Sequence, residues 1–123
     1  MRYMVLMYSD PAETKAMSAS DREEVRRRHE ALHAEESEAM LNGAGLAYPE
    51  RTTTIRLGQD GPVASEGPLV AAREQLTAYY VIDCEGADQA VSIAERIVDF
   101  HVIAVEVREI HDSFGMDSAA AEK

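Results

Sequence analysis

The run RYMVLMY, residues 2–8, constrains the fold most, because both faces of the strand that it predicts are apolar. Side chains alternate between the two faces of a strand. The two sets are Tyr3, Val5 and Met7 on one face, and Met4, Leu6 and Tyr8 on the other. Helices of the same chain can cover one face, but the other is too apolar to be left to water. A second copy of the chain is the simplest cover, so the sequence predicts a homodimer in which two open sheet faces meet.

The other periodic segments predict two helices and five further strands. Ser18 is a typical N-cap and starts a helix expected over residues 19–41, which Asn42-Gly43 is expected to stop. A second amphipathic helix is predicted over residues 87–100. The further strands are predicted over residues 45–48, 52–57, 63–65, 76–84 and 103–110. Asp10-Pro11, at the end of the first strand, is interpreted as a turn.

This order is β-α-β-β-α-β with an extra hairpin in the middle, which indicates the α+β class. The specific expectation is a ferredoxin-like fold, with both helices on one face of an antiparallel sheet. Length favours one domain, residues 1–112. Residues 113–123 lack periodic apolar positions and are predicted to be a loose tail.

Charge and cysteine content exclude several function classes. The chain has 12 Lys and Arg residues against 23 Asp and Glu residues and a net charge of −11, which argues against nucleic-acid binding. The cluster Arg26-Arg27-Arg28 is interpreted as exposed ion pairs with nearby glutamates. No apolar run approaches the roughly 20 residues of a membrane span. The one cysteine, Cys84, favours a reducing cytoplasm.

Three blocks of sequence resemble the YCII-related domain family, in its DGPF branch. They are MRYMVLMYSD at the start, EGPLVAAREQLTAYYVID in the middle and VEVREI near the end, and together they span about residues 1–110. The resemblance implies a dimeric α/β barrel of ferredoxin-like protomers in small bacterial cytoplasmic proteins, some of them associated with transcription. The branch has Asp-Gly-Pro-Phe where this chain has Glu66-Gly67-Pro68-Leu69, and Glu-Thr where it has Ala71-Ala72. The loop therefore lacks two polar groups of the family pattern.

The resemblance also implies an acid–base site, with a histidine and a carboxylate in a cleft between the first long helix, the sheet and the dimer partner. By its position after the capping signal, His29 matches the family histidine, and Asp10 or Glu66 is the candidate carboxylate. The candidate ligand-binding residues are Tyr80, Tyr79 and Arg73.

Each of these candidates has a structural alternative. His29 can be a half-buried residue of the helix stripe, Glu66 a turn acid that binds nearby amides, and Asp10-Pro11 a common turn pair. His29 and His33 lie one helical turn apart, which suits zinc, but nothing marks a third ligand, so neither a metal nor a cofactor is predicted. The sequence leaves two functions open. One is a small-molecule acid–base enzyme, and the other is a non-catalytic module that binds a ligand or a protein.

Overall fold

A computed structural model describes residues 1–112 and 114–115, which contain three α-helices and six strands in two antiparallel sheets. The strands are β1 (Arg2–Ser9), β2 (Met40–Gly45), β3 (Thr53–Gly58), β4 (Gly61–Glu66), β5 (Gln75–Asp83) and β6 (Ala104–Glu109). The helices are α1 (Pro11–Lys15), α2 (Ala19–Glu35) and α3 (Ala87–Glu95), and a 3₁₀ turn spans Pro49–Arg51. The predicted α+β class is confirmed.

The larger sheet has the strand order β2-β5-β1-β6, so β1 lies inside it. Val5 of β1 is opposite Tyr80 of β5 and Val107 of β6. Tyr3, Val5 and Met7 form one core cluster with residues of both long helices, among them Leu32 of α2 and Ile93 of α3. Both helices therefore cover the face of the sheet that carries Val5.

The opposite face of the larger sheet carries no helix in the described part of the chain. Met4, Leu6 and Tyr8 lie on this open face and are half-buried, while their neighbours Tyr3, Val5 and Met7 are buried. The alternation in β1 therefore separates a helix-covered face from an open one, as the sequence predicted. None of the described helices combines the length and apolarity needed to cross a bilayer.

The interpretation of Asp10-Pro11 as a turn alone is wrong, because these residues begin α1. The Asp10 carboxylate accepts a hydrogen bond from the Ala12 amide at 3.0 Å, and Pro11 occupies the first helical position. Proline suits that position because its φ is already helical and the amide it lacks would have no partner. The Asp-Pro pair therefore ends β1 and starts a helix at once.

The first long helix is shorter than predicted, and Asn42-Gly43 does not stop it. Helix α2 ends at Glu35, where a run of acids (Glu35, Glu36 and Glu38) meets the negative end of the helix dipole. The chain then enters β2 at Met40, so that Asn42-Gly43 lies within a strand paired with β5. The predicted strand over residues 45–48 is accordingly placed too late in the chain.

The second long helix also ends early, at Glu95 instead of residue 100. The Asp99 carboxylate accepts hydrogen bonds from the backbone amides of His101 and Val102, at 2.7 and 2.6 Å. These bonds hold the chain in a turn, which replaces the last predicted turn of helix. The predicted loose tail, residues 113–123, falls outside the described residues apart from positions 114 and 115.

Strands β3 and β4 form a separate two-stranded sheet, the predicted extra hairpin. Gly61 follows the turn between them with φ of 121°, a value that favours glycine. The hairpin exposes large apolar side chains, with Ile55 at 67% and Leu57 at 90% of full exposure. The two strands of the hairpin are therefore paired through their backbones, but neither has a buried face like that of β1.

Candidate functional site

A pocket of about 710 Å³ lies on the helix-covered side, where α2 faces strands β2 and β5. His29 and His33 of α2 and Tyr80 of β5 belong to its wall, together with Thr14 of α1 and His101 from the turn after α3. Its apolar lining includes Met7, Met40 and Ala78. The pocket thus gathers three of the four histidines of the chain.

The Tyr80 hydroxyl bridges the two histidines of α2. His29 Nδ1 lies 2.8 Å and His33 Nε2 3.1 Å from this oxygen. The two histidines share one helix face because they are four residues apart. Tyr80 projects toward the same side because it is opposite Val5, whose side chain faces the helices. The bridge therefore depends on the helix period and on the strand register together.

Gly43 allows the Tyr80 ring to take this position. A Cβ atom at residue 43 would lie 2.5 Å from Tyr80 Cδ1 and 2.6 Å from the Tyr79 carbonyl oxygen, closer than real Cβ contacts. Strand β2 can therefore pair with β5 beside the tyrosine ring only with a residue that lacks a side chain here. In the Asn42-Gly43 pair, the glycine therefore indicates close packing of β2 against β5.

His101 is held at a second part of the pocket wall. Its Nδ1 lies 3.3 Å from Thr14 Oγ1, and the Thr14 hydroxyl donates to the Asp10 carbonyl oxygen at 3.2 Å. With that proton engaged, the threonine oxygen accepts from His101 Nδ1–H, and Nε2 of the neutral ring carries the free lone pair. Helix α1 thus orients a histidine that lies 87 residues further along the chain.

Burial favours the neutral form of each of these groups. It lowers the pKa of His29 and of His101 below the ordinary value of 6.5, and the negative charge of Asp99 opposes the shift in both. Burial also raises the pKa of the Tyr80 phenol above its ordinary value. Burial therefore favours neutral imidazoles at His29 and His101 and a protonated phenol at Tyr80.

The predicted site residues do not all come together in the pocket. His29 and Tyr80 are brought together in the pocket. Tyr79 also borders the pocket, but it is opposite Leu6, so its side chain lies on the open face. Asp10 is buried, and its carboxylate lies 3.6 Å from Nε of the exposed Arg73. Among the described residues, the Asp10 carboxylate makes no hydrogen bond to His29.

Glu66 is exposed at the end of β4 and does not line the pocket. The carboxylate that acts electrostatically on His29 is that of Asp99. The expected pairing of His29 with Asp10 or Glu66 stays a prediction.

Two smaller spaces adjoin the pocket. The buried Ser9 hydroxyl, without a hydrogen-bond partner among the described residues, lines a cavity of about 10 Å³ that shares Thr14 and Tyr48 with the pocket. That volume is close to the space of one water molecule. Leu46 and Ala47 of the pocket wall also border an apolar groove of about 480 Å³, whose lining includes Tyr8 and Leu76.

Sequence reasoning missed Thr14, Asp99 and the pocket role of His101. The spacing of His29 and His33 was visible as a one-turn repeat, but nothing local links either residue to His101. The Asp-Pro helix start was the available signal for Thr14, since it predicts a helix turn at that residue. The described residues contain no cluster of three or more His, Cys, Asp and Glu side chains arranged to hold a metal ion.

The YCII-related domain model matches residues 1–113, nearly the whole chain. The chain belongs to the YCII-related domain family. It is also similar to an uncharacterised protein of Rhizobium meliloti (strain 1021), with 33% identity over 99 residues. That alignment covers 79% of this chain and 80% of the relative. The family resemblance noted in the three sequence blocks is therefore confirmed.

Proposed function

We propose that this YCII-related protein catalyses proton transfer on a small molecule bound in the pocket, as a lyase, an isomerase or a hydrolase. The observation that carries the proposal is the Tyr80 hydroxyl between His29 Nδ1 and His33 Nε2. A phenol flanked by two imidazoles in a concave, largely apolar site has the parts that general acid–base catalysis requires.

The bridge links the protonation of the two histidines. A phenol has one proton to donate, so it donates to one imidazole and accepts an N–H from the other. When both rings are neutral, one therefore carries its proton toward Tyr80 and the other away from it. A proton that His29 takes from a ligand can pass through Tyr80 to His33. Since His33 is exposed and His29 is half-buried, this path leads from the pocket to water.

The lowered pKa of His29 supports a role as the base, because a neutral imidazole is the form that accepts a proton. Asp99 favours the imidazolium that results, since its negative charge raises the pKa of His29 against the effect of burial. In this proposal Asp99 acts on His29 where Asp10 or Glu66 was expected. Asp10, the N-cap of α1, and its ion-pair partner Arg73 would contribute to the site indirectly, by holding α1 in place.

The test measures the uptake of deuterium by small molecules, because this readout needs no known substrate. The protein is incubated with a small-molecule extract of bacterial cells in D₂O, and mass spectrometry identifies compounds that gain deuterium or change mass. His29→Gln and Tyr80→Phe are expected to slow the change by about 100-fold or more, the usual range for loss of a general acid or base.

Tyr3→Phe is the matched control, because Tyr3 lies in the core and its hydroxyl contacts Met1 Sδ at 3.8 Å. This variant should retain the full rate. Identical mass changes with and without the protein, or in wild type and His29→Gln, would disprove the proposed activity.

We also propose a homodimer of ferredoxin-like protomers in a bacterial cytoplasm, with the open sheet faces forming a dimeric α/β barrel. The strand order β2-β5-β1-β6, the half-buried Met4, Leu6 and Tyr8 and the single cysteine support it. We also propose that the chain belongs to the DGPF branch, on the resemblance of its block EGPLVAAREQLTAYYVID. Sedimentation velocity tests the assembly, and a monomer at micromolar concentration would contradict it.

One observation favours the alternative of a non-catalytic protein-interaction module, associated with transcription in the branch. The hairpin presents Leu57 at 90% and Val63 at 57% of full exposure, and neither residue lines the pocket. Such a surface suits contact with another protein. If Leu57→Ser abolished a biological effect that His29→Gln left intact, the interaction module would replace the enzyme as the preferred function.

A further inference from the structure

The charge content of the pocket differs from that of the whole chain. Asp, Glu, Lys and Arg make up 28% of the sequence, yet within the described residues none of these four types lines the pocket. A bound cation would meet no carboxylate there. The available polar contacts are imidazoles, hydroxyl groups, the Asn42 amide and the backbone, beside an apolar lining that includes Met7, Met40 and Leu46.

The histidines provide the one source of positive charge in this wall. Burial favours the neutral forms of His29 and His101 by lowering their pKa values, so each protonated imidazole needs a counter-charge. The positive charge of His101 also lowers the pKa of His29, so two protonated rings oppose each other. An anion bound near both rings would offset the cost of burying a charged imidazole and the repulsion between two protonated rings.

The charged groups around the pocket are already compensated. Asp99, which faces His29 and His101 from the turn after α3, accepts two backbone amides and lies 3.8 Å from Arg28 Nη1. Arg22 of α2, which lowers the pKa of His101, donates to the Thr14 carbonyl at 2.9 Å. Neither side chain lines the pocket. A ligand is therefore the natural partner for a protonated histidine.

We propose that the pocket takes a small organic acid, bound as its carboxylate together with one proton from solvent on His101, which leaves His29 neutral as the base of the proposed activity. This inference rests on the proposed function, for which it names the substrate class. The apolar lining contacts the body of the acid, and the histidines and Thr14 contact its carboxylate.

The proposal fixes the direction of the pH dependence. Above the pKa of the free histidine, the empty protein lacks the proton that the complex holds, so binding includes proton uptake and weakens as pH rises. The ligand stays ionised throughout this range, because ordinary carboxylic acids have pKa values near about 4. A neutral ligand of the same shape would show no such dependence.

The experiment uses benzoate and benzamide, which differ in charge and little in size. Dissociation constants come from NMR titrations that follow the imidazole resonances. Benzoate should bind about tenfold more weakly at pH 8 than at pH 6, while benzamide should bind weakly and equally at both. His101→Gln should abolish most of the pH dependence, and His29→Gln should reduce it less. His111→Gln, with a side chain 96% exposed, is the matched control and should retain it.

Two results would overturn the proposal. One is benzamide binding as tightly as benzoate at pH 6, and the other is no response of His29 or His101 at tens of millimolar benzoate. Neither would touch the proposed acid–base activity, which is judged by deuterium incorporation that depends on Tyr80. Conversely, loss of that activity would leave a pH-dependent benzoate site intact, so the two failures are distinguishable.

Discussion

The four-stranded sheet and the β3–β4 hairpin have the same backbone pairing but very different burial. Val5 and Ile82 in the sheet are fully buried, whereas Ile55 and Leu57 in the hairpin are 67% and 90% exposed. Helices α2 and α3 cover one face of the sheet. The core cluster of the described residues contains no residue of the hairpin. Strand pairing thus forms in both regions, but only the sheet has a layer to pack against, which is what makes a ladder stable in water.

The largest expected effect comes from making the same substitution in both regions. Ile82→Ala should lower the free energy of unfolding by about 3 kcal/mol, because it leaves a cavity in a packed core. Ile55→Ala should change it by less than about 0.5 kcal/mol, because its side chain is mostly in water. Urea unfolding followed by circular dichroism gives both values. Similar decreases in the free energy of unfolding for the two variants would contradict this difference between the regions and would indicate that the hairpin is buried in an assembly.

A smaller effect is expected within β2, where two glycines differ in their surroundings. Gly43→Ala should cost about 1–3 kcal/mol, because the new Cβ would collide with the Tyr80 ring and the Tyr79 carbonyl. Gly45→Ala is the control, since a Cβ there would meet nothing within 4 Å. Histidine NMR spectra should also show that Gly43→Ala disturbs His29 and that Gly45→Ala does not. An undisturbed His29 in Gly43→Ala would refute the packing argument.

The pH dependence of stability is the subtlest prediction. Burial lowers the pKa of folded His29 and His101, so below the ordinary value of 6.5 the unfolded chain binds more protons than the folded one. The stability present above that pH is therefore lost as the pH falls through the folded pKa values. Urea midpoints between pH 7 and pH 5 should decrease, and His29→Gln should decrease less steeply. An unchanged slope in this variant would contradict the shift. The hairpin, residues 53–66, contains no histidine and should not contribute.

The parts of the fold that sequence predicts well are those set by local patterns. The alternation in β1 and β5, the Ser18 N-cap of α2 and the hairpin all follow from short stretches of chain. The errors occur where a local signal has two meanings. Asp10-Pro11 suits a turn or a helix start, and Asn42-Gly43 suits a helix stop or a close strand contact. Neighbouring strands decide between these meanings, and they are distant in sequence.

The candidate site shows the same limit. His29 and Tyr80 could each be named from the sequence, but their hydrogen bond joins positions 51 residues apart. It depends on the pairing of β5 with β1 and on the face of α2 that meets the sheet. Asp99 falls where the sequence predicted helix and His101 directly after it, but both lie in a turn, so their place beside α2 could not be foreseen.

Leu46 and Ala47, both exposed, border the histidine pocket and the apolar groove alike. A bulkier residue at position 47 would reduce the room in both spaces, so neither can be reshaped alone. A substitution at either residue that enlarges the pocket for a new ligand will therefore also alter the outer surface beside Tyr8.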